Sequence, residues 1–218
     1  MKTFLIVIFV FILTSNGTSY GGNLMPNSGA EKTTKTSGAV EVPGVLLTDN
    51  IPALGWTIRK LCGTAVFGVT DAEKHSGNYS VFCELKQKNS AGDFEMHIKV
   101  GESLKNDTQE GLALNLKPDT IYYFSFWMKT KGSFRVIGRY EEWETGMDKS
   151  KLKYMGIKNR ATFPPTSEWK KYEITFTTSS KMERCIPILH IKNTLASEEG
   201  DIIFIDDIEI MPFDEKYL

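Results

Sequence analysis

The chain has 218 residues, 41% of them hydrophobic and 24% charged, with 26 Lys and Arg against 27 Asp and Glu. This is the composition of a folded globular protein, and its 13 Phe, 8 Tyr and 4 Trp require burial or a ligand, which excludes a disordered tail. A net charge of −1 leaves no basic footprint of the kind that meets nucleic acid.

Lys2 is followed by an unbroken apolar run over residues 4–13 and by small and polar residues over 14–19. A positive start, an apolar stretch and a small-residue site, in that order, read as a secretory signal peptide, with Gly17 and Ser19 before the cut. A run of ten apolar residues covers about half of a bilayer core, too little for a membrane anchor. The expectation is a signal peptide over 1–19 and a single exported domain over 20–218, secreted, extracellular or periplasmic, with no membrane attachment after cleavage. Cys62, Cys83 and Cys185 leave open one bridge plus a thiol, or three thiols. With His only at 75, 97 and 190, no zinc spacing is present.

The rest of the chain alternates with period two. Strands are predicted over 80–85, 94–100, 121–128, 134–140, 172–177, 186–191 and 202–210, with turn signals such as Ser76-Gly77-Asn78, Lys117-Pro118-Asp119 and Pro164-Pro165-Thr166 between them. Residues 32–50, rich in Thr, Gly and Ser, read as a surface loop, and residues 147–161 as a polar excursion between two strands. No long window has a helical period. The predicted fold class is all-β, a two-sheet antiparallel sandwich.

Several segments in order resemble one family. They are Asn23-Leu24-Met25-Pro26-Asn27-Ser28-Gly29-Ala30-Glu31, Trp56, Lys74-His75-Ser76-Gly77-Asn78-Tyr79-Ser80, Leu116-Lys117-Pro118-Asp119-Thr120-Ile121-Tyr122, Phe124-Ser125-Phe126-Trp127-Met128-Lys129, Trp169-Lys170-Lys171-Tyr172, and the closing Ile203-Phe204-Ile205-Asp206-Asp207-Ile208-Glu209-Ile210. This order resembles carbohydrate-binding modules of the family 4, 9 and 22 type, over residues 22–212. The resemblance implies a jelly roll of the galactose-binding-like group, a polysaccharide or glycan ligand and no chemistry of its own.

Strict alternation in the closing strand puts Asp206 on one face with Phe204, Ile208 and Ile210. A carboxylate among apolar neighbours needs a cation or several donors. The resemblance implies a structural Ca²⁺ held by Glu31, Asp206 and backbone oxygens near Gly29 and at the Lys74–His75 turn, a hard oxygen set that suits this ion. The other reading is a hydrogen-bonded turn at Asp206 and a solvated Glu31.

Sugars are held by aromatic rings with polar groups on the hydroxyls. In the 121–129 strand, Tyr123, Ser125, Trp127 and Lys129 face away from an apolar side. The resemblance places the cleft on a concave sheet to which this strand contributes. The candidate ligand contacts are Trp127, Trp143, Tyr123, Tyr140, Arg139 and His190, each with core packing as its ordinary alternative; Trp56 and Trp169, near strand starts, read as structural.

A glycosidase needs two carboxylates across a cleft, about 5 to 9.5 Å apart. Glu141, Glu142 and Glu144 read instead as a solvated acidic stretch, with 141 and 142 pointing to opposite faces. No nucleophile elbow is present. The expectation is therefore a secreted non-catalytic binding module with structural calcium, for which a separate glycan-degrading system is a compatible partner. The alternatives are an exported structural or adhesive sandwich that makes protein contacts, and a small glycoside-cleaving enzyme.

Overall fold

The alternating runs form strands, and among the described residues these pair in antiparallel fashion. A computed structural model describes residues 24–25, 29–31, 40–42, 50–53, 56–100, 114, 116–146 and 152–213. The signal peptide expected over 1–19 lies outside the described residues. Among the described residues there are twelve strands and no helix. They are β1 (Val40–Val42), β2 (Asn50–Ala53), β3 (Trp56–Cys62), β4 (Thr64–Thr70), β5 (Ser80–Gln87), β6 (Glu95–Val100), β7 (Ile121–Lys131), β8 (Phe134–Thr145), β9 (Leu152–Phe163), β10 (Lys170–Thr177), β11 (Met182–Asn193) and β12 (Ile202–Pro212).

One sheet has the order β1-β4-β5-β12-β7-β10 and the other β2-β3-β6-β11-β8-β9. From β7 onward the chain passes repeatedly between sheets, so neighbours in space are distant in sequence. This is the jelly-roll sandwich the alternation and the resemblance predicted.

The core lies between the sheets. Along β7 every second side chain, Tyr122, Phe124, Phe126 and Met128, is buried. Rings meet across the gap: Phe126 of β7 packs on Phe163 of β9 at 5.4 Å, and Tyr140 of β8 on Phe176 of β10 at 4.6 Å. Each such buried ring contributes about 1.5–3 kcal/mol. The hydroxyl of Tyr140 stays satisfied by donating to the Thr177 carbonyl at 2.9 Å.

Several sequence expectations change. The 32–50 segment is not wholly loop, because β1 pairs with β4 and β2 begins at Asn50. Most of 147–161 belongs to β9, which pairs with β8 along its length. β9 is an edge strand interrupted by register shifts, so its polar and apolar residues do not alternate cleanly. The chain crosses from β3 of one sheet to β4 of the other through Gly63, whose φ of 74° suits glycine and whose missing Cβ would fall 2.7 Å from the Gln87 carbonyl. Glu142 is not solvated: it is fully buried, paired with Lys158, and accepts the Ser179 N–H at 2.7 Å. All three cysteines are free thiols, and burial pushes those of Cys83 and Cys185 far up.

The closing strand departs from strict alternation. Asp206 pairs with Trp127 but Glu209 with Ser125, so β12 carries one extra residue there. The bulge centres on Asp207, which has a left-handed φ of 45°. Ile203 and Ile205 before it, and Ile208 and Ile210 after it, therefore all join the core, while Asp206 faces outward.

Candidate functional site

Two outward faces gather the residues singled out from the sequence. On the first sheet, the bulge presents Asp206 and Asp207 side by side. Asp206 has 0% exposure, because the 75–79 turn and the segment around Glu31 lie over it. Its carboxylate accepts the backbone N–H groups of His75 at 2.9 Å, Ser76 at 3.2 Å and Asp207 at 2.8 Å. Burial and the neighbouring Asp207 carboxylate push its pKa up to about 6, against those three donors. Asp207 takes the His75 ring at 2.6 Å and the Ser76 hydroxyl at 2.7 Å. Glu31 accepts from the Asn78 and Tyr79 backbone at 2.7 and 3.2 Å and from the Asn78 amide at 3.0 Å. The His75 ring stacks on Trp127 at 3.6 Å and meets Trp169 edge-on at 5.9 Å. This clamp ties the early chain to the last strand.

The second sheet has a different outer face. Pairing across β6, β11 and β8 aligns Lys99, Ile188 and Arg139 in one row and His97, His190 and Ile137 in the next. Outer positions of a sheet are ordinarily wet, yet Arg139 and His97 are 7% exposed and Lys99 and His190 6%. Ile186 and Ile188 form an apolar floor there, buried but outside the main core. Trp143 packs on Tyr154 at 5.3 Å, with the Arg184 guanidinium 5.1 Å from the Trp143 ring. A floor with buried polar walls and an aromatic end has the chemistry of a ligand groove.

The hydrogen-bond roles in this groove can be assigned. A guanidinium only donates, so the bond from Arg139 Nη2 to His97 Nε2, 2.5 Å, makes that nitrogen an acceptor. A carboxylate only accepts, so His190 donates from Nε2 to Glu95 at 3.1 Å. Burial, with Arg139 nearby, pulls the His190 pKa down to about 4 even though Glu95 opposes the shift. His190 is neutral at pH 7, and its Nδ1 carries a lone pair. Among the described residues this Nδ1, Arg139 Nε and Trp169 Nε1 are buried without a hydrogen-bond partner. The second face thus holds one buried donor and one buried acceptor unused.

Five of the six residues expected as ligand contacts divide between these faces. Arg139, Trp143 and His190 come together on the second. Trp127 and Tyr123 lie on the first sheet, because β7 pairs with β10 and β12 rather than joining β8. Trp127 is covered by His75, and the Tyr123 hydroxyl is bonded to Glu173. Tyr140 points into the core. Of the four residues chosen for calcium, Glu31, Asp206, Gly29 and His75 all gather at the clamp. Sequence reasoning missed His97, Lys99 and Tyr154. Polar residues at alternate positions of the apolar 94–100 run were the available signal for the first two.

The deciding observation comes from comparison with known families. The model of the carbohydrate binding domain family matches residues 74–196, more than half of the chain. The chain belongs to that family. The matched span of this carbohydrate binding domain includes β5 through β11 and with them the whole buried row on the second face. No curated protein matches the chain. Among solved structures it is similar to TmCBM61 in complex with beta-1,4-galactotriose, 17% identical, covering 88% of this chain and 99% of that one, with a TM-score of 0.44. It is also similar to the CBM22-2 xylan-binding domain from Paenibacillus barcinonensis Xyn10C, 17% identical, over 73% of this chain and 92% of that one, TM-score 0.43. A further similarity is to the enzymatically active domain of Bacteriophage CBA120 tailspike protein 4, 10% identical over 73% of this chain, which spans 19% of that longer chain, TM-score 0.47.

Proposed function

We propose that this domain is an exported, non-catalytic module that binds a poly- or oligosaccharide on the outer face of the second sheet. The observation that carries the reading is the pair of unused groups, Arg139 Nε and His190 Nδ1, buried above an apolar floor. Leaving buried polar atoms unpaired costs about 1–3 kcal/mol each, so they mark places where a ligand supplies the partner. A sugar hydroxyl both accepts and donates and can answer the two together. Trp143 and Tyr154 offer ring faces to the apolar side of a pyranose. Glu141 and Glu142 leave β8 on opposite sides, and Glu142 is locked to Lys158, so they do not form a hydrolytic pair.

The clamp is proposed as a structural calcium site. The donor chemistry fits: a Cβ on Gly29 would lie 3.4 Å from an Asp207 oxygen, 3.7 Å from an Asp206 oxygen and 3.7 Å from Glu31 Cγ, so oxygens of two aspartates and the Glu31 side chain border one small space. Among the described residues no three side-chain ligands reach metal-binding separation, so carbonyl oxygens near Gly29 and His75 would complete the set. A bound ion would offset the mutual repulsion of these carboxylates. Glu31 and Asp206 would hold it together with those carbonyls, while His75 and Ser76 fix Asp207 beside them.

Affinity electrophoresis of the full chain against plant, algal and microbial polysaccharides tests the binding reading. Retardation by at least one glycan, abolished in Trp143→Ala and Arg139→Gln but kept in Trp127→Ala, is expected. A folded wild-type protein that no glycan retards contradicts it and favours a protein-contact role.

A further inference from the structure

We infer that the saccharide taken by this face is anionic, carrying carboxylate or sulfate groups; this rests on the binding reading above and names its substrate class. The outward positions of β6, β8 and β11 hold four cations, Lys99, Arg135, Arg139 and Lys192, against two carboxylates, Glu95 and Glu141, with Arg184 set apart beside the exposed Glu183 at the β11 register shift. The difference is two positive charges along this row in a chain whose net charge is −1.

The carboxylates do not neutralise this face evenly. Glu95 is held by Lys192 and by His190, both at the same end of the groove. Glu141 lies 3.9 Å from Lys99. Arg139, the most central of the arginines, donates instead to a neutral imidazole, and its Nε has no partner. Burial to 7% exposure disfavours the charge of this guanidinium more than nearby Glu141 and Glu95 support it, and among the described residues no carboxylate bonds it, so an anion arriving from outside supplies the missing partner. A neutral sugar supplies a hydroxyl to Nε but adds no charge to offset that burial.

The positive track continues beyond the sheet. Arg135 and Lys192 also line an open cavity of about 700 Å³ at the rim, together with Lys88, Asp93 and the fully exposed Leu195. Successive anionic residues of one chain can thus meet Arg139 in the groove and Arg135 at the rim. The fixed fork of arginine suits planar carboxylates and sulfate oxygens.

The test is calorimetric titration of the full chain with matched glycans: polygalacturonate and its methyl-esterified form, a sulfated galactan and its desulfated form, neutral xylan and galactan, and polyglutamate as a polyanion without sugar. The expected result is at least tenfold tighter binding of one charged glycan than of its neutralised counterpart. That binding weakens steeply between 0.05 and 0.5 M salt, on the order expected for screened charge, and is lost in Arg139→Gln. Because Arg139 is buried, the exposed Arg135→Ala serves as a second variant, expected to weaken the charged ligand several-fold and leave any neutral one unchanged. The polygalacturonate and sulfated arms tell carboxylate from sulfate. Equal binding of charged and neutralised forms, or of neutral glycans alone, overturns the anionic inference and leaves the module reading intact. Polyglutamate binding as tightly as the sugars overturns saccharide recognition by this charge. Binding to none overturns both.

Discussion

On the proposed reading, His190 links recognition to pH behaviour. Its pKa of about 4 lies below the ordinary 6.5, because burial and Arg139 disfavour the charged ring. Above about pH 6.5 neither the folded nor the unfolded chain holds this proton. Between 6.5 and 4 the unfolded chain binds it and the folded chain does not, so this group makes stability fall as pH falls through that window. His190→Asn is expected to flatten the slope relative to wild type, as read from urea midpoints at pH 7 and 4.5. Affinity carries the same signature: protonation below about pH 4 removes the Nδ1 lone pair, so sugar binding weakens there in wild type. A wild-type slope identical to that of the variant contradicts this assignment.

At the scale of elements, the β12 bulge and the 75–79 turn form one unit. Asp206→Ala leaves the N–H groups of His75, Ser76 and Asp207 without their acceptor, at a cost of about 3 kcal/mol by the usual penalty for orphaned buried donors. Gly77→Ala is expected to destabilise too, since Gly77 has φ of 58° and its added Cβ would fall 2.1 Å from Glu31 Oε1. Chemical denaturation of both variants checks this, and sugar affinity is expected to hold while they remain folded. Much of this unit was legible in the sequence. A carboxylate within an apolar alternating strand announces a buried partner set, and Glu31, Gly29, His75 and Asp206 were chosen from that and the family order. The bulge was not legible, because one extra residue at Asp207 leaves the local composition unchanged. Nor was the sheet to which β7 belongs. Alternation assigns Trp127 and Arg139 to outward faces, but sheet membership depends on partners far along the chain, here β10 and β12 for one and β9 and β11 for the other.

Across the whole molecule, the proposed reading gives the two sheets separate tasks: the first fastens the early chain to the last strand, and the second presents the groove. Chelation is therefore expected to lower the melting temperature of calcium-loaded protein by several degrees, an order consistent with about 1 kcal/mol or more at this size, with little change in glycan affinity once the protein is held below its transition. Equal melting with calcium and with chelator contradicts calcium at the clamp. The division of tasks is most directly tested by following backbone amide shifts of the full chain during titration with an oligosaccharide of the glycan that it binds. The expected shifts fall on β6, β8 and β11, centred on His97, Arg139 and His190, with Tyr154 of β9 at the margin. Shifts concentrated instead on Tyr123, Ser125 and Trp127 of β7 and on β10 would place the sugar on the first sheet and contradict the assignment.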